Sequence, residues 1–382
     1  MKPSCYFFRF LNWTLLAFLG AASPVLAHPV AQGSVEISIE EKAVVALFRV
    51  SNEQVFVASS GRNAPPSASL DALWQDHAAY LLAHVTVLAD GTALIGTVAK
   101  VEPPADLTTR GFTLYELRYP WPNGTLPARS EIHQNLLSEI EFAPGNPWEA
   151  TFVARIRHGE RSLSEGALWS AKQPLIISIE PQTDGPKMPS PQNSLSSLAS
   201  GFFRHGMHHI ASAWDHALFV SALVLAVARL WPVLALVTAF TLAHTVTLTL
   251  GVLKLAQFPG NLVEPVIAGS ISVAALLNLW KPSAPRLLPR LGLAFGFGLV
   301  HGMGFANDLV EAMEGFSRPA LAAAIGGFSI GVEVGHQLIV LPLILIMVLV
   351  RRFAPGGLPR VLQAGSVLVA IAGGWLLVQT LR

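Results

Sequence analysis

Six long apolar stretches fill the chain from residue 200 onward, at about 202–228, 232–253, 262–280, 291–307, 320–350 and 360–381. About 20 apolar residues cross a bilayer as a helix, and lipid tolerates only helices or closed barrels. The expected class is therefore an α-helical polytopic membrane bundle of six transmembrane helices. These stretches carry ionisable groups: His209, Asp215 and His216 in the first, His244 in the second, Glu264 opening the third, His301 in the fourth, Glu333 and His336 in the fifth. A central Asp, Lys or Arg costs about 2.5–3.5 kcal/mol on insertion scales. So many costly groups in one bundle point to a polar site or pathway within the membrane.

Composition agrees. The 382 residues are 52% hydrophobic and only 13% charged, too apolar for an ordinary soluble domain of this size. A net charge of +1 with no basic run gives no reason to expect a nucleic-acid partner. The single cysteine, Cys5, lies in a segment that resembles a secretory signal: Lys2 and Arg9, then an apolar Leu11–Gly20, then Val25-Leu26-Ala27. Cleavage after residue 27 leaves no thiol, which excludes disulfides, Cys–zinc sites and Cys nucleophiles.

Residues 28–180 read as an exported, β-sandwich-like domain. Val35, Ile37 and Ile39 alternate with polar residues, and Val85–Leu88, Asp90-Gly91 and Leu94–Val98 read as two strands about a tight turn. Phe112–Tyr119, Ser138–Phe142, Thr151–Ile156 and Leu175–Ile179 add short strands, and Ser69–Ala83 is the one substantial helix expected. Residues 181–199, rich in Pro, Ser, Gln and Asn, form a linker to the membrane domain at 200–382.

Export of the β-rich domain puts the loops after spans one, three and five on the cytoplasmic side. They carry Arg229, Lys281, Arg286, Arg290, Arg351, Arg352 and Arg360, against Lys254, Arg318 and Arg382 opposite. That bias satisfies the positive-inside rule. In this orientation the ionisable groups fall in the outer half of the membrane or near its midplane, at ~1.5 Å per residue. The inner half is left apolar. His205, His209, Ser212 and His216 share a helix face, as do Glu333, His336 and Gln337, and as do Thr241, His244 and Thr247. Along a straight helix His209 and His216 stand about 10 Å apart, too far to hold one ion unless the helix bends or unwinds. A short piece ending near Ala211, ahead of the span proper, would allow that.

The spacing His209-Ile-Ala-Ser-Ala-Trp-Asp215-His216 is similar to the His-x5-Asp-His motif of the HupE/UreJ family. The second branch of that family is further resembled in Ala239–Leu248 (AFTLAHTVTL), Val263–Ser270 (VEPVIAGS), His301–Ala306 (HGMGFA) and Gly331–Gly335 (GVEVG). These motifs cover residues 200–382 in order. Two departures stand out: Ile210 and Ala213 replace the usual Pro and Gly of the nickel-permease form, and His336 replaces Gln. The resemblance implies a bacterial inner-membrane permease for a divalent metal of the nickel or cobalt type. It makes His209, Asp215, His216, His244, Glu264, His301, Glu333 and His336 the expected metal-handling residues, with His205 and His208 as outer capture groups.

Imidazole with carboxylate suits Ni, Co, Zn or Cu(II), and the lack of thiolate disfavours Cu(I). The same groups could serve a membrane-embedded, zinc-dependent hydrolase, and an apolar inner half favours that alternative because a permeation route needs an exit. A non-catalytic role in metal sensing or envelope assembly, with a protein partner on the β domain, is the third. The bilayer and the metal ion are the partners common to the first two.

Overall fold

The computed structural model describes residues 31–61, 69–104, 111–143, 146–148, 150–159, 161–169, 174–178, 195–256, 260–280, 287–313 and 316–381. The signal segment at 1–27 and most of the linker lie outside the described residues. The chain forms two compact units. One comprises Pro29–Gly201 with Asp308–Ala324, the other Phe202–Asn307 with Ile325–Arg382.

The first unit is β-rich. Its strands are β1 (Ala31–Ile39), β2 (Ala43–Ser51), β3 (Val85–Ala89), β4 (Thr92–Ala93), β5 (Thr97–Glu102), β6 (Phe112–Pro120), β7 (Arg129–Gln134), β8 (Glu141–Ala143), β9 (Asn146–Pro147), β10 (Ala150–His158), β11 (Arg161–Leu168) and β12 (Leu175–Ser178). One sheet runs β11-β10-β1-β2-β6-β5 and another β12-β7-β3-β4. Only the β1–β10 ladder in these two sheets is parallel, with Val35 opposite Ala154. Period-two burial along β6 and continuous burial over the first half of β10 bring Tyr115, Leu117, Phe152 and Ala154 into a core shared with Val87, Ile132 and Leu175 of the other sheet.

Two helices close over that core. The expected one, α2 (Leu70–His84), starts where Ser69 Oγ accepts from Ala72 N at 3.2 Å, and it buries Trp74 and Leu81. The other, α1 (Asn52–Gly61), follows β2 directly and was not anticipated; the Ser51 hydroxyl accepts from Gln54 N in place of a turn signal. Asp90 and Gly91 take the positive φ of a tight hairpin, as their sequence predicts. Of the strand expected at Leu94–Val98, Thr97 and Val98 open β5, while Leu94–Gly96 is a crossing between sheets. Gly96 makes it possible, since a Cβ there would lie 2.3 Å from the Tyr119 ring. Ser138–Phe142 is mainly turn, with only its end in β8.

The helical region comprises α3 (Leu195–Ser212), α4 (Trp214–Val227), α5 (Leu230–Val252), α6 (Gly260–Trp280), α7 (Leu287–Ala312), α8 (Arg318–Phe353) and α9 (Leu358–Thr380). Among the described residues α5, α6, α8 and α9 are long and apolar enough to cross a membrane, and α3 with α4, bent by 73°, makes a fifth span if counted as one. The expected six become four or five. Helix α7 falls short because Arg290, His301 and five glycines between 292 and 304 dilute its apolar run. Leu242, Val273, Leu338, Leu345 and Ile371 stay exposed, as lipid-facing positions should. This region is a multi-pass membrane domain.

One end of the bundle has a mainly apolar core. Phe219, Val220 and Val224 pack with Val233, Leu236, Val237 and Phe240, Ile271, Ala294, Val340 and Met347. The last carbonyls of α4 are held from three neighbouring helices. Asn278 Nδ2 donates to Ala222 O (2.8 Å), Arg290 Nη1 to Ala226 O and Arg351 Nη2 to Ala228 O (2.6 Å). Guanidinium groups suit a helix C-terminus, where carbonyls lack helical partners and the dipole is negative.

Candidate metal site

The site begins at the break between α3 and α4. Ala213 is extended (φ −87°, ψ 101°), while its N–H still donates to His209 O and its carbonyl accepts from Ala217 N. The chain therefore turns sharply at a residue that keeps both of its own backbone hydrogen bonds. The turn folds His209 back towards His216, and their ring centroids lie 4.9 Å apart. The straight-helix separation does not hold; the bend that a shared ion requires is present.

His216 is the centre of the cluster. Its ring centroid lies 5.9 Å from that of His244 on α5, 5.3 Å from His301 on α7 and 6.1 Å from His336 on α8. One donor atom from each of His209, His216 and His244 lies within 4.8 Å of the other two. Ligand nitrogens lie about 2.0–2.1 Å from zinc, so three nitrogens could hold one cation after a small inward turn of the rings. Close helix approach makes the gathering possible. A Cβ on Gly302 would sit 2.1 Å from Thr247 Oγ1 and 2.4 Å from His244 O, so α7 touches the backbone of α5 beside both His244 and His301. Gly331 likewise abuts Phe203 O, bringing α8 against α3.

Three of the histidines are oriented in the same way. His216 Nδ1 lies 3.2 Å from Asp215 Oδ1, and a carboxylate only accepts. His301 Nδ1 lies 2.9 Å from Phe297 O, also an acceptor. His336 Nδ1 lies 3.2 Å from Thr241 Oγ1, whose one proton is given to Val237 O at 3.1 Å. At His216 and His301 the proton between the pair then sits on Nδ1, and at His336 it does so when Thr241 donates to Val237 O; a ring held this way, when neutral, presents its Nε2 lone pair. Those three Nε2 atoms, with both nitrogens of His244, are buried with no hydrogen-bond partner among the described residues. An unmet buried polar atom costs about 1–3 kcal/mol. A second partner on a ligating histidine is the usual device for fixing tautomer and ring orientation.

The remaining expected residues lie around this core. His205 is buried between Phe202 and Phe328, and the Phe328 ring also neighbours His209 and His244. His208 is exposed. Glu333 is held apart from the imidazoles in its bonding: Thr238 Oγ1 donates to Oε1 at 2.7 Å, with Gln337 Nε2 nearby. Glu264 lies on an exposed face of α6. Sequence spacing pairs Glu333 with His336; the structure instead sets each against a threonine of α5, Thr238 and Thr241. The matching i, i+3 spacing on both helices was the available signal. Phe219 and Phe240, which floor the cluster at 5.0 Å from His301, were not singled out.

Fold and site together define a multi-pass membrane protein with a buried histidine cluster and an N-terminal β-rich domain. Residues 187–380 match the family described as HupE / UreJ protein, and the chain belongs to that family. No curated protein and no solved structure matches it.

Proposed function

We propose that the protein is an inner-membrane permease for a divalent metal of the nickel or cobalt type, with the β-rich domain in the periplasm. The family is associated with metal transport. The observation that carries the reading is the set of three histidines, His216, His301 and His336, each held by Nδ1 and each offering a buried Nε2 lone pair. His209 and His244 complete the donor set. Its all-nitrogen core suits Ni, Co or Zn better than the hard, oxygen-seeking Mg and Ca. Asp215 orients His216 and supplies the negative charge that offsets the ion. His208 and His205 stand on α3 ahead of the cluster, where a cation arriving from the periplasm would first meet imidazole.

The alternative of a membrane-embedded zinc hydrolase is favoured by one feature, the apolar floor of Phe219 and Phe240 under the cluster. Its base would be Glu333, whose Oε1 accepts from Thr238 while the buried Oε2 has no partner among the described residues. The permease reading is preferred because the family is associated with metal transport.

The test is uptake of radiolabelled nickel, cobalt and zinc into proteoliposomes. Wild-type protein is expected to take up at least one ion faster than empty liposomes. Asp215→Asn, which leaves the His216 ring without its anionic partner, is expected to lower uptake about 10–100-fold. Protein that holds metal stoichiometrically at these residues yet moves none would overturn the permease and favour the hydrolase.

A further inference from the structure

His209, His216 and His244 bring one donor atom each to within 4.8 Å of the other two, and among the described residues no further His, Asp or Glu atom joins that group. An imidazole triad of this kind is completed in one of two ways. A tetrahedral ion adds one ligand, whereas an octahedral ion adds three, which here would have to be waters. The surroundings of the triad decide between them.

Those surroundings are aromatic. Phe328 of α8 is fully buried and packs on two of the three rings, at 5.5 Å from His209 and 6.3 Å from His244 between centroids, as well as on His205 at 5.8 Å. Gly206 admits it: a Cβ there would lie 2.2 Å from Phe328 O, so α8 meets the backbone of α3 at this level. Phe240 stands 5.9 Å from His216 and 6.4 Å from His244. Every ring of the triad has a phenyl neighbour, and a phenyl ring gives a metal-bound water nothing to donate to. A buried water needs two to four polar partners. Beyond the triad, the unmatched nitrogens of the rings beside His216 are the Nε2 atoms of His301 and His336, enough for the two protons of one water and not for the six of three.

We propose that Phe328 is a specificity-determining residue: it closes the triad to all but one further ligand, so that the site prefers a cation that accepts tetrahedral geometry, Co(II) or Zn(II), over Ni(II). Raw affinity for nitrogen donors puts Ni(II) ahead of Co(II), so a preference for cobalt reports geometry and not donor chemistry. The inference rests on the metal-binding reading of the cluster and narrows its substrate to the cobalt side of that class.

The experiment uses full-length protein in nanodiscs, with visible absorption of the cobalt-loaded protein and equilibrium dialysis against cobalt, zinc and nickel. Wild-type protein is expected to show the intense bands of four-coordinate Co(II) and to bind cobalt and zinc each more tightly than nickel. Phe328→Ala is expected to give the weak bands of six-coordinate Co(II), and to move the cobalt-to-nickel affinity ratio about tenfold towards nickel. Phe297→Ala removes a ring that packs on Phe219, 5.6 Å between centroids, and is expected to do neither. A six-coordinate spectrum on wild-type protein would overturn the proposal, as would nickel bound more tightly than cobalt. So would a folded Phe328→Ala that keeps the four-coordinate spectrum, or an equal change in Phe297→Ala. The wild-type spectrum and ratio need no variant to fold. Wild-type protein that binds none of the three ions defeats the metal reading itself, which is a separate failure.

Discussion

Gln134 in the β-rich unit and the histidines of the helical unit are both buried polar groups, and they are used in opposite ways. Gln134 spends every part of its amide: Nε2 donates to Ala150 O and Trp169 O, and Oε1 accepts from Leu136 N at 2.9 Å. It ties β7 to β10 and to the end of β11. His216, His301 and His336 each use one nitrogen and leave the other buried and unmatched among the described residues. A group satisfied on all sides holds a fold together. One satisfied on one side only, three times over in the same sense, is oriented towards something else. The comparison separates polarity that stabilises from polarity that is kept for a ligand.

The largest break in that contrast is expected from Gln134→Leu. It removes the partner of the buried Ala150 carbonyl and of the buried Leu136 N–H, and that of the half-buried Trp169 carbonyl; at about 1–3 kcal/mol for each unmet buried group it costs several kcal/mol. Denaturant unfolding of the β-rich unit, followed by its tryptophan fluorescence, measures this; a loss under about 1 kcal/mol contradicts the tie. Next comes Gly302→Ala, where the added methyl meets Thr247 Oγ1 and His244 O. Overpacking there is expected to cost about 1–3 kcal/mol and to separate His244 from His301, lowering nickel affinity as well. Gly296→Ala on the same helix meets nothing within 4 Å and serves as the neutral control. The smallest effect on stability is expected from His301→Leu. Removing a half-satisfied imidazole for an apolar side chain of similar size leaves thermal stability within about 1 kcal/mol of wild type, or raises it. Nickel affinity nevertheless falls about 10–100-fold. Equal losses of stability in His301→Leu and Gln134→Leu would erase the distinction between these two kinds of buried group.

The sequence made much of this legible. Alternation gave β1, short apolar-rich runs gave β6 and β10, Ser69 gave the start of α2, and Asp90-Gly91 gave a hairpin turn. Apolar length gave the spans, apart from α7, whose glycines and Arg290 serve close packing and the cap on α4 rather than hydrophobicity. Helix α1 stayed hidden because β2 runs into it without a Gly or Pro to mark the change. The arrangement of the site was less visible. Every histidine of the cluster can be named from its place in an apolar run, but the bend at Ala213 has no breaker residue to announce it. Without that bend His209 and His216 belong to different levels of the membrane. Spacing along α8 joined Glu333 to His336, whereas contacts across to α5 give them different threonine partners; single-helix periodicity carries no information about the facing helix.

The central claim is that imidazoles of this cluster hold a divalent metal. X-ray absorption at the metal edge, on nickel-loaded protein in nanodiscs, tests it most directly. The account predicts a first shell containing at least three imidazole nitrogens and no sulfur, lost in His216→Ala. A shell of oxygen ligands alone, unchanged in that variant, would contradict it.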